Sequence, residues 1–280
     1  MLDQLPKTSQ GKTAPQITKV GCGSGHRKPM NDKQRDIILN AVVDAGINFI
    51  DTAISYGNSE QLIGKFLNNK RDKFYLATKG NLWDADSLEN QLNQSLRRLK
   101  TDYVDIYQLH NPTPDQCRSA ELLDALNKFK ESGKCRWIGI STSEPHFEQF
   151  VEWNSFDIFQ IPYSALQMEN EPTMHIAGEN GAGIIINGAV ALGEPHIGKG
   201  SKLMWDNFEN YNLQEFLDTN ETKTSFMLRF TLSNKNAHTA IVGTTNPDHL
   251  KMNIESVLKG PLETDLYNQV RKRIISNMNI

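Results

Sequence analysis

The sequence predicts a single-domain α/β protein, a (β/α)8 TIM barrel, and three observations carry that expectation. Short apolar segments rich in β-branched and aromatic residues alternate about eight times with segments whose apolar residues recur at helical spacing. The short segments are apolar on both faces, as strands of a parallel sheet covered by helices must be. No linker or shift in composition splits the 280 residues, a length that suits one closed barrel better than an open doubly wound sheet.

A polar, Pro-broken lead over residues 1–15 precedes the first candidate strand, Ile17 to Val20. It runs into Gly21-Cys22-Gly23-Ser24-Gly25. The third glycine is misplaced for G-x-G-x-x-G, and Pro29 and Asn31 intervene before the next helix, so a strand-to-loop turn is expected, not a dinucleotide fingerprint. Asn31 or Asp32 caps a helix with Ile37, Ile38, Ala41, Val42 and Ala45 on one face, and Gly46 stops it. The second strand, Ile47 to Ile50, then delivers Asp51 at its C-terminal end and Tyr56 on the loop beyond.

A helix from Ser59 to Leu67 buries Leu62, Ile63 and Phe66, and the third strand, Phe74 to Lys79, ends in a lysine. Leu88, Leu92, Leu96 and Leu99 mark the next helix, and the fourth strand, Val104 to His110, ends in a histidine. There follow a helix near Asp115 to Lys130, a strand Arg136 to Ile140 running into Ser141-Thr142, a helix near Glu144 to Trp153, and a strand Asp157 to Ile161. A helix near Glu169 to Ala177 leads to the seventh strand, Gly183 to Ile186. The stretch Gly193 to Asn212, rich in Gly, Pro and Asn, is expected to be a long irregular loop and a lid over a ligand. A helix over Thr222 to Leu232 precedes the eighth strand, Thr239 to Val242. Asn246 and Pro247 then open the last barrel helix, and 262–280 form an extension beyond it.

A net charge of -3, a pI near 6.2 and no long basic run argue against nucleic acid as a partner. Cys22, Cys117 and Cys135 are scattered, which indicates neither a disulfide framework nor a zinc site. The opening segment lacks the apolar core of a signal peptide, and no run approaches the roughly 20 apolar residues of a membrane span. A cytoplasmic protein acting on small molecules is expected.

In such a barrel the site forms at the C-terminal ends of the strands, where Asp51, Lys79 and His110 all fall. Each alone has an ordinary reading: a capping carboxylate, a lysine reaching to solvent, a histidine bonded to backbone. On neighbouring strands, with Tyr56 between them, they make sense as a proton-donating device. A lysine beside a tyrosine is expected to stabilise phenolate and lower its pKa, Asp51 to hold the lysine, and His110 to polarise a carbonyl oxygen. No metal-ligand cluster is present, since His26, His146, His175, His196, His238 and His249 are dispersed, so no metal is expected. With no activated Ser or Cys either, the electrons are expected from a cofactor, and hydride from a nicotinamide fits best.

Phe49-Ile50-Asp51-Thr52-Ala53 with Tyr56-Gly57, then Lys79, then Ser95-Leu96-Arg97-Arg98-Leu99 through Asp102-Tyr103-Val104-Asp105-Ile106-Tyr107-Gln108-Leu109-His110 closely resemble the aldo-keto reductases. The resemblance spans essentially the whole chain. It implies reduction of an aldehyde or ketone by NAD(P)H, with Tyr56 as general acid, Lys79 and Asp51 as its tuning pair, and His110 orienting the carbonyl. It also implies that Ser141, Thr142 and Gln160 hold the nicotinamide carboxamide, Thr142 standing where many relatives carry Asn. Ser24 and Asp51 are implied to border the cofactor. Gly188, Ala189 and Leu192 fall where many members have an aromatic residue and Ser-Pro-Leu, Ala189 replacing the ring that stacks on the nicotinamide. Gly243, Thr244, Thr245, His249 and Asn253 are implied to face the adenosine phosphate end, and NADP(H) is favoured over NAD(H). His26, Trp83, His110 and Asn111 are expected to line the substrate pocket. The alternative is a nicotinamide-binding sensor or regulatory protein of the same fold with little turnover, which would have no need of all four catalytic groups.

Overall fold

The computed structural model of the protein describes residues 4–13, 15–25, 31–118 and 120–278. A hairpin of β1 (Lys7–Ser9) and β2 (Gln16–Thr18) precedes β3 (Val20–Gly23), α1 (Asp32–Asp44), β4 (Phe49–Asp51), α2 (Ser59–Phe66) and β5 (Tyr75–Gly80). Next come α3 (Ala85–Leu99), β6 (Val104–His110), α4 (Pro114–Cys117), α5 (Ala120–Glu131), β7 (Cys135–Ser141), α6 (His146–Glu152) and β8 (Ile158–Pro162). The chain continues through α7 (Glu171–Glu179), β9 (Gly183–Asn187), α8 (Lys202–Asn210), α9 (Lys223–Ser233), β10 (Thr239–Val242), α10 (Pro247–Lys259) and α11 (Thr264–Asn277).

Eight parallel strands close in the order β10-β3-β4-β5-β6-β7-β8-β9, the predicted barrel. Alternation along each strand builds two cores. Phe49, Ala77, Ile106, Ile158 and Ile185 fill the barrel interior, while Ile50, Leu76, Tyr107 and Ile138 pack outward against helices. The leucines of α3 show how the helices attach. Leu88, Leu92, Leu96 and Leu99 are all buried, each such burial contributing about 1.5–3 kcal/mol, and the Asp84 side chain caps the helix through Ser87 N.

Three expectations need correction. The first barrel strand is β3, not Ile17 to Val20: β2 pairs antiparallel with β1, and the hairpin inserts Ile17, fully buried, among the interior residues at the N-terminal end of the barrel. The predicted Asp115 to Lys130 helix is two, because a Thr113/Gln116 capping box and Pro114 start a short α4 that ends before Arg118. The Gly193 to Asn212 stretch is not one loop. Ser201 caps α8 through Met204 N, and Trp205 and Phe208 are its buried face, with Trp205 Nε1 donating to Ala191 O at 3.1 Å.

Candidate active site

Asp51 closes β4 at 1% exposure and Lys79 lies near the end of β5 with none. Lys79 Nζ donates to Asp51 Oδ1 at 2.6 Å, to Asp51 Oδ2 at 2.7 Å and to Thr52 O at 2.8 Å, so all three ammonium hydrogens are engaged. Burial pushes the Asp51 carboxyl up and the Lys79 ammonium down, and their mutual attraction opposes both shifts. The pair is stable there because each charge is hydrogen-bonded as well as paired.

The Tyr56 loop is tied down along its length. Thr52 N donates to Ala77 O at 2.9 Å, Ile54 N to Lys79 O at 3.1 Å, and Tyr56 N to Ala53 O at 3.0 Å. Beneath it runs a chain of buried hydroxyls: Thr52 Oγ1 donates to Ser59 Oγ at 3.1 Å, Ser59 Oγ to Ser24 Oγ at 2.8 Å, and Ser24 Oγ to Asp51 O at 2.7 Å. The ring sits 5.1 Å from Lys79 Nζ and meets His110 edge-on, centroids 5.6 Å apart. Gly25 makes room for it, since a Cβ there would lie 2.9 Å from Tyr56 Cε2.

The expected lowering of the tyrosine pKa is not what this arrangement does. Burial, and then the Asp51 charge, raise the phenol well above its ordinary value. Proximity to a lysine does not offset the burial of the ring and the carboxylate that the lysine itself pairs with. His110 is shifted down to about 4, first by burial and then by the Lys79 charge, so its imidazole is neutral at physiological pH. Its Nδ1 lies 3.4 Å from Ser55 Oγ.

Strand register places the remaining polar groups beside these. His110 pairs with Ser141 and Ser141 with Gln160 across β6, β7 and β8, and Thr142 N donates to Gln160 O at 3.0 Å. Ser141, Thr142 and Gln160 are buried. Asn111, in the left-handed region at φ 54°, follows His110 with its N–H on Ser141 O at 2.9 Å, and Trp83 is half-buried on the loop after β5. Ser24 lies under the tyrosine loop, with both its N–H and its hydroxyl engaged by Asp51 O. Ala189 is buried behind the rim, its carbonyl accepting from Thr231 Oγ1 at 3.2 Å, next to the half-buried Gly188. Leu192 is 62% exposed. Gly243, Thr245 and His249 are exposed around the start of α10, where Thr244 Oγ1 accepts from Asn246 N at 3.0 Å, and Asn253 is half-buried one turn further on. His26 lies outside the described residues. Among the described residues no three His, Cys, Asp or Glu side chains are placed to hold a metal.

Sequence reasoning missed two groups. Glu60, 1% exposed, accepts from Thr78 Oγ1 at 2.7 Å and from Arg98 Nη1 at 3.3 Å, with Arg98 also reaching Ile54 O at 3.4 Å on the tyrosine loop. Gln108 sits inside the barrel level with Lys79. The two-residue alternation that points Ile106 and His110 inward points Gln108 inward too, and would have found it.

The profile of the aldo/keto reductase family matches residues 19–275. This chain belongs to that family. An oxidoreductase of Bacillus subtilis, YqkF, is 27% identical over 90% of this chain and 91% of its own. The NADH-specific methylglyoxal reductase of Escherichia coli is 25% identical over 90% of this chain and 94% of its own. A solved aldo-keto reductase from Bacillus halodurans, in its holo form, superimposes with a TM-score of 0.86 at 26% identity, covering 96% of both chains. As an aldo/keto reductase, the protein is an NAD(P)H-dependent oxidoreductase acting on small carbonyl compounds. Among the described residues no helix is long and apolar enough to cross a membrane.

Proposed function

We propose that the protein reduces an aldehyde or ketone to an alcohol, with Tyr56 giving the proton to the carbonyl oxygen. The observation that carries this reading is the convergence of Tyr56 and His110 on one rim above the buried Asp51–Lys79 pair. A reduced nicotinamide, when bound, supplies hydride to the carbonyl carbon. The residues present suit such a cofactor: Ser141 and Thr142 at the end of β7 and Gln160 on β8 form a row of polar groups one and two strands beyond His110, and α10 opens with its Asn246 cap and exposed first turn near β10.

His110, neutral, donates an N–H to the carbonyl oxygen and sets its position. Tyr56 keeps its proton until negative charge builds on that oxygen. Its raised pKa does not prevent transfer, because an alkoxide is a far stronger base than a phenolate. Lys79, 5.1 Å from the ring, steadies the phenolate that forms, and Asp51 holds the lysine in place.

For the dinucleotide, the first turn of α10 offers Asp248 and His249 and no lysine or arginine. A 2′-phosphate is held best by a cation. That composition, together with the NADH-specific relative, supports NAD(H) over the NADP(H) preference drawn from the sequence. Fluorescence titration with NADH and NADPH measures the choice. In the same protein Tyr56→Phe is expected to lower kcat for carbonyl reduction about 10²- to 10⁴-fold while leaving the cofactor Kd unchanged. Reduction that survives this substitution would show that another group is the acid.

A further inference from the structure

Inside the barrel two glutamines face each other beside the Asp51–Lys79 pair. Gln108 on β6 is fully buried and Gln160 on β8 is 2% exposed. Gln108 Nε2 donates to Gln160 Oε1 at 3.0 Å. They meet across β7 because Gly139 lies between them. Register pairs Gln108 with Gly139, and a Cβ at 139 would lie 3.2 Å from Gln108 Cγ and 2.8 Å from Ile158 O.

The direction of this contact is favoured from both ends. The Gln160 amide turns toward the Asp51 carboxylate, which accepts hydrogen bonds and does not donate them. Gln160 therefore presents its NH2 to Asp51 and its oxygen to Gln108, and Gln108 must answer with its own NH2. The consequence is visible at the other end. Gln108 Oε1 is buried without a hydrogen-bond partner among the described residues. An orphaned buried acceptor is unfavourable, so the arrangement is kept for what it does at Gln160. Were both amides to flip, Gln160 Oε1 would face the carboxylate oxygens.

We propose that Gln108 is a positioning residue that locks the Gln160 amide with its N–H groups toward the catalytic rim, where they meet the carboxamide oxygen of the nicotinamide. The proposal rests on the reading that Gln160 holds that carboxamide. Gln108 itself, with no exposed surface, touches neither cofactor nor substrate. It acts through which end of its neighbour is offered. Without it the Gln160 amide loses the donor that holds its oxygen away from the mouth of the site.

The test compares two ligands on three variants. Q108M removes both polar atoms of the amide at similar volume, Q108N keeps an amide but withdraws it by one methylene, and Q160A removes the partner. Dissociation constants are measured for NADH or NADPH and for the same dinucleotide without its nicotinamide, ADP-ribose or its 2′-phosphate. Q108M and Q108N are expected to weaken NAD(P)H about five- to tenfold, the loss of one buried hydrogen bond, and to leave ADP-ribose unchanged. The double variant Q108M/Q160A should bind NAD(P)H no more weakly than Q160A alone. If Q160A weakens NAD(P)H and both Gln108 variants leave it untouched, the positioning role is wrong. If the Gln108 variants weaken both ligands equally, Gln108 only supports the barrel and the proposal is overturned. If Q160A itself has no effect, the carboxamide reading fails, and the proposal with it.

Discussion

On the side of the barrel formed by β4, β5 and β6, the groups proposed for catalysis are held inside the protein. Lys79 makes three hydrogen bonds at zero exposure, and the tyrosine loop is tied to β5 by two backbone bonds. On the side formed by β9 and β10 the opposite design prevails. After β9 the chain passes through Ala191, Leu192 and His196 in the left-handed region, where non-glycine residues are disfavoured by about 1–2 kcal/mol each. The loop is pinched shut by Lys199 N on Leu192 O at 2.8 Å and Gly200 N on Gly193 O at 3.0 Å, and it leaves Ile197 71% exposed. Proton transfer needs atoms held to within about half an ångström, and buried bonds provide that. On the reading proposed above a dinucleotide must enter and leave, and this side carries Leu192 and Ile197 in the open where the other side carries none of the groups proposed for catalysis exposed.

The contrast can be broken most sharply at Lys79. Lys79→Met strands the Asp51 carboxylate without its counter-charge and is expected to cost about 3–5 kcal/mol of stability, read as a lower urea midpoint at unchanged slope. A variant as stable as the parent would mean that the catalytic side is not held by this pair. A smaller effect comes from two half-buried imidazoles. His110 and His238 are both shifted down to about 4 in the fold, against an ordinary 6.5, His110 by burial and then the Lys79 charge, and His238 by burial and then the Lys19 charge. His238 Nδ1 accepts from Ile184 N at 2.9 Å, which requires the neutral ring. Between those pH values the unfolded chain takes up protons that the native chain refuses, so stability is full above pH 6.5 and falls as pH drops toward 4. Urea denaturation at pH 7, 6 and 5 measures the slope, and His238→Gln should flatten it. An unchanged slope would show that His238 is not held in the neutral form. The smallest effect is expected on the open side, where Ile197→Ser should shift stability by no more than about 0.5 kcal/mol. A larger loss in thermal denaturation would place that loop with the fixed half.

Asp51, Lys79 and His110 were legible because a charged residue at the end of an apolar strand is conspicuous, and strand alternation fixes which way it points. Gln108 obeys the same alternation on the same strand as His110 but carries no charge, and nothing in its composition marks it. The hairpin was hidden because Ile17 looks like any barrel-strand residue, and only pairing shows that the barrel strand begins after Lys19. In α8 the helical spacing of Trp205 and Phe208 was masked by the glycines and by Pro195 that precede it. The tyrosine pKa was misjudged for a different reason. Sequence gives neighbours, and the sign of the shift depended on how deeply the ring is buried and on the Asp51 charge beside it.

The seam of the barrel joins the two ends of the chain. Thr239 Oγ1 donates to Thr18 O at 2.8 Å across 221 residues, and Ala240 N donates to Lys19 O at 3.0 Å. On a ribosome adding about 5–20 residues per second, the edge of β3 waits on the order of 10–45 s for β10 to be made. During that interval it is a bare strand edge, open to pairing with other chains. The last strand is thus also the cap that ends the nascent protein's exposure to aggregation, and a ribosome stalled before residue 239 releases a sheet that cannot close.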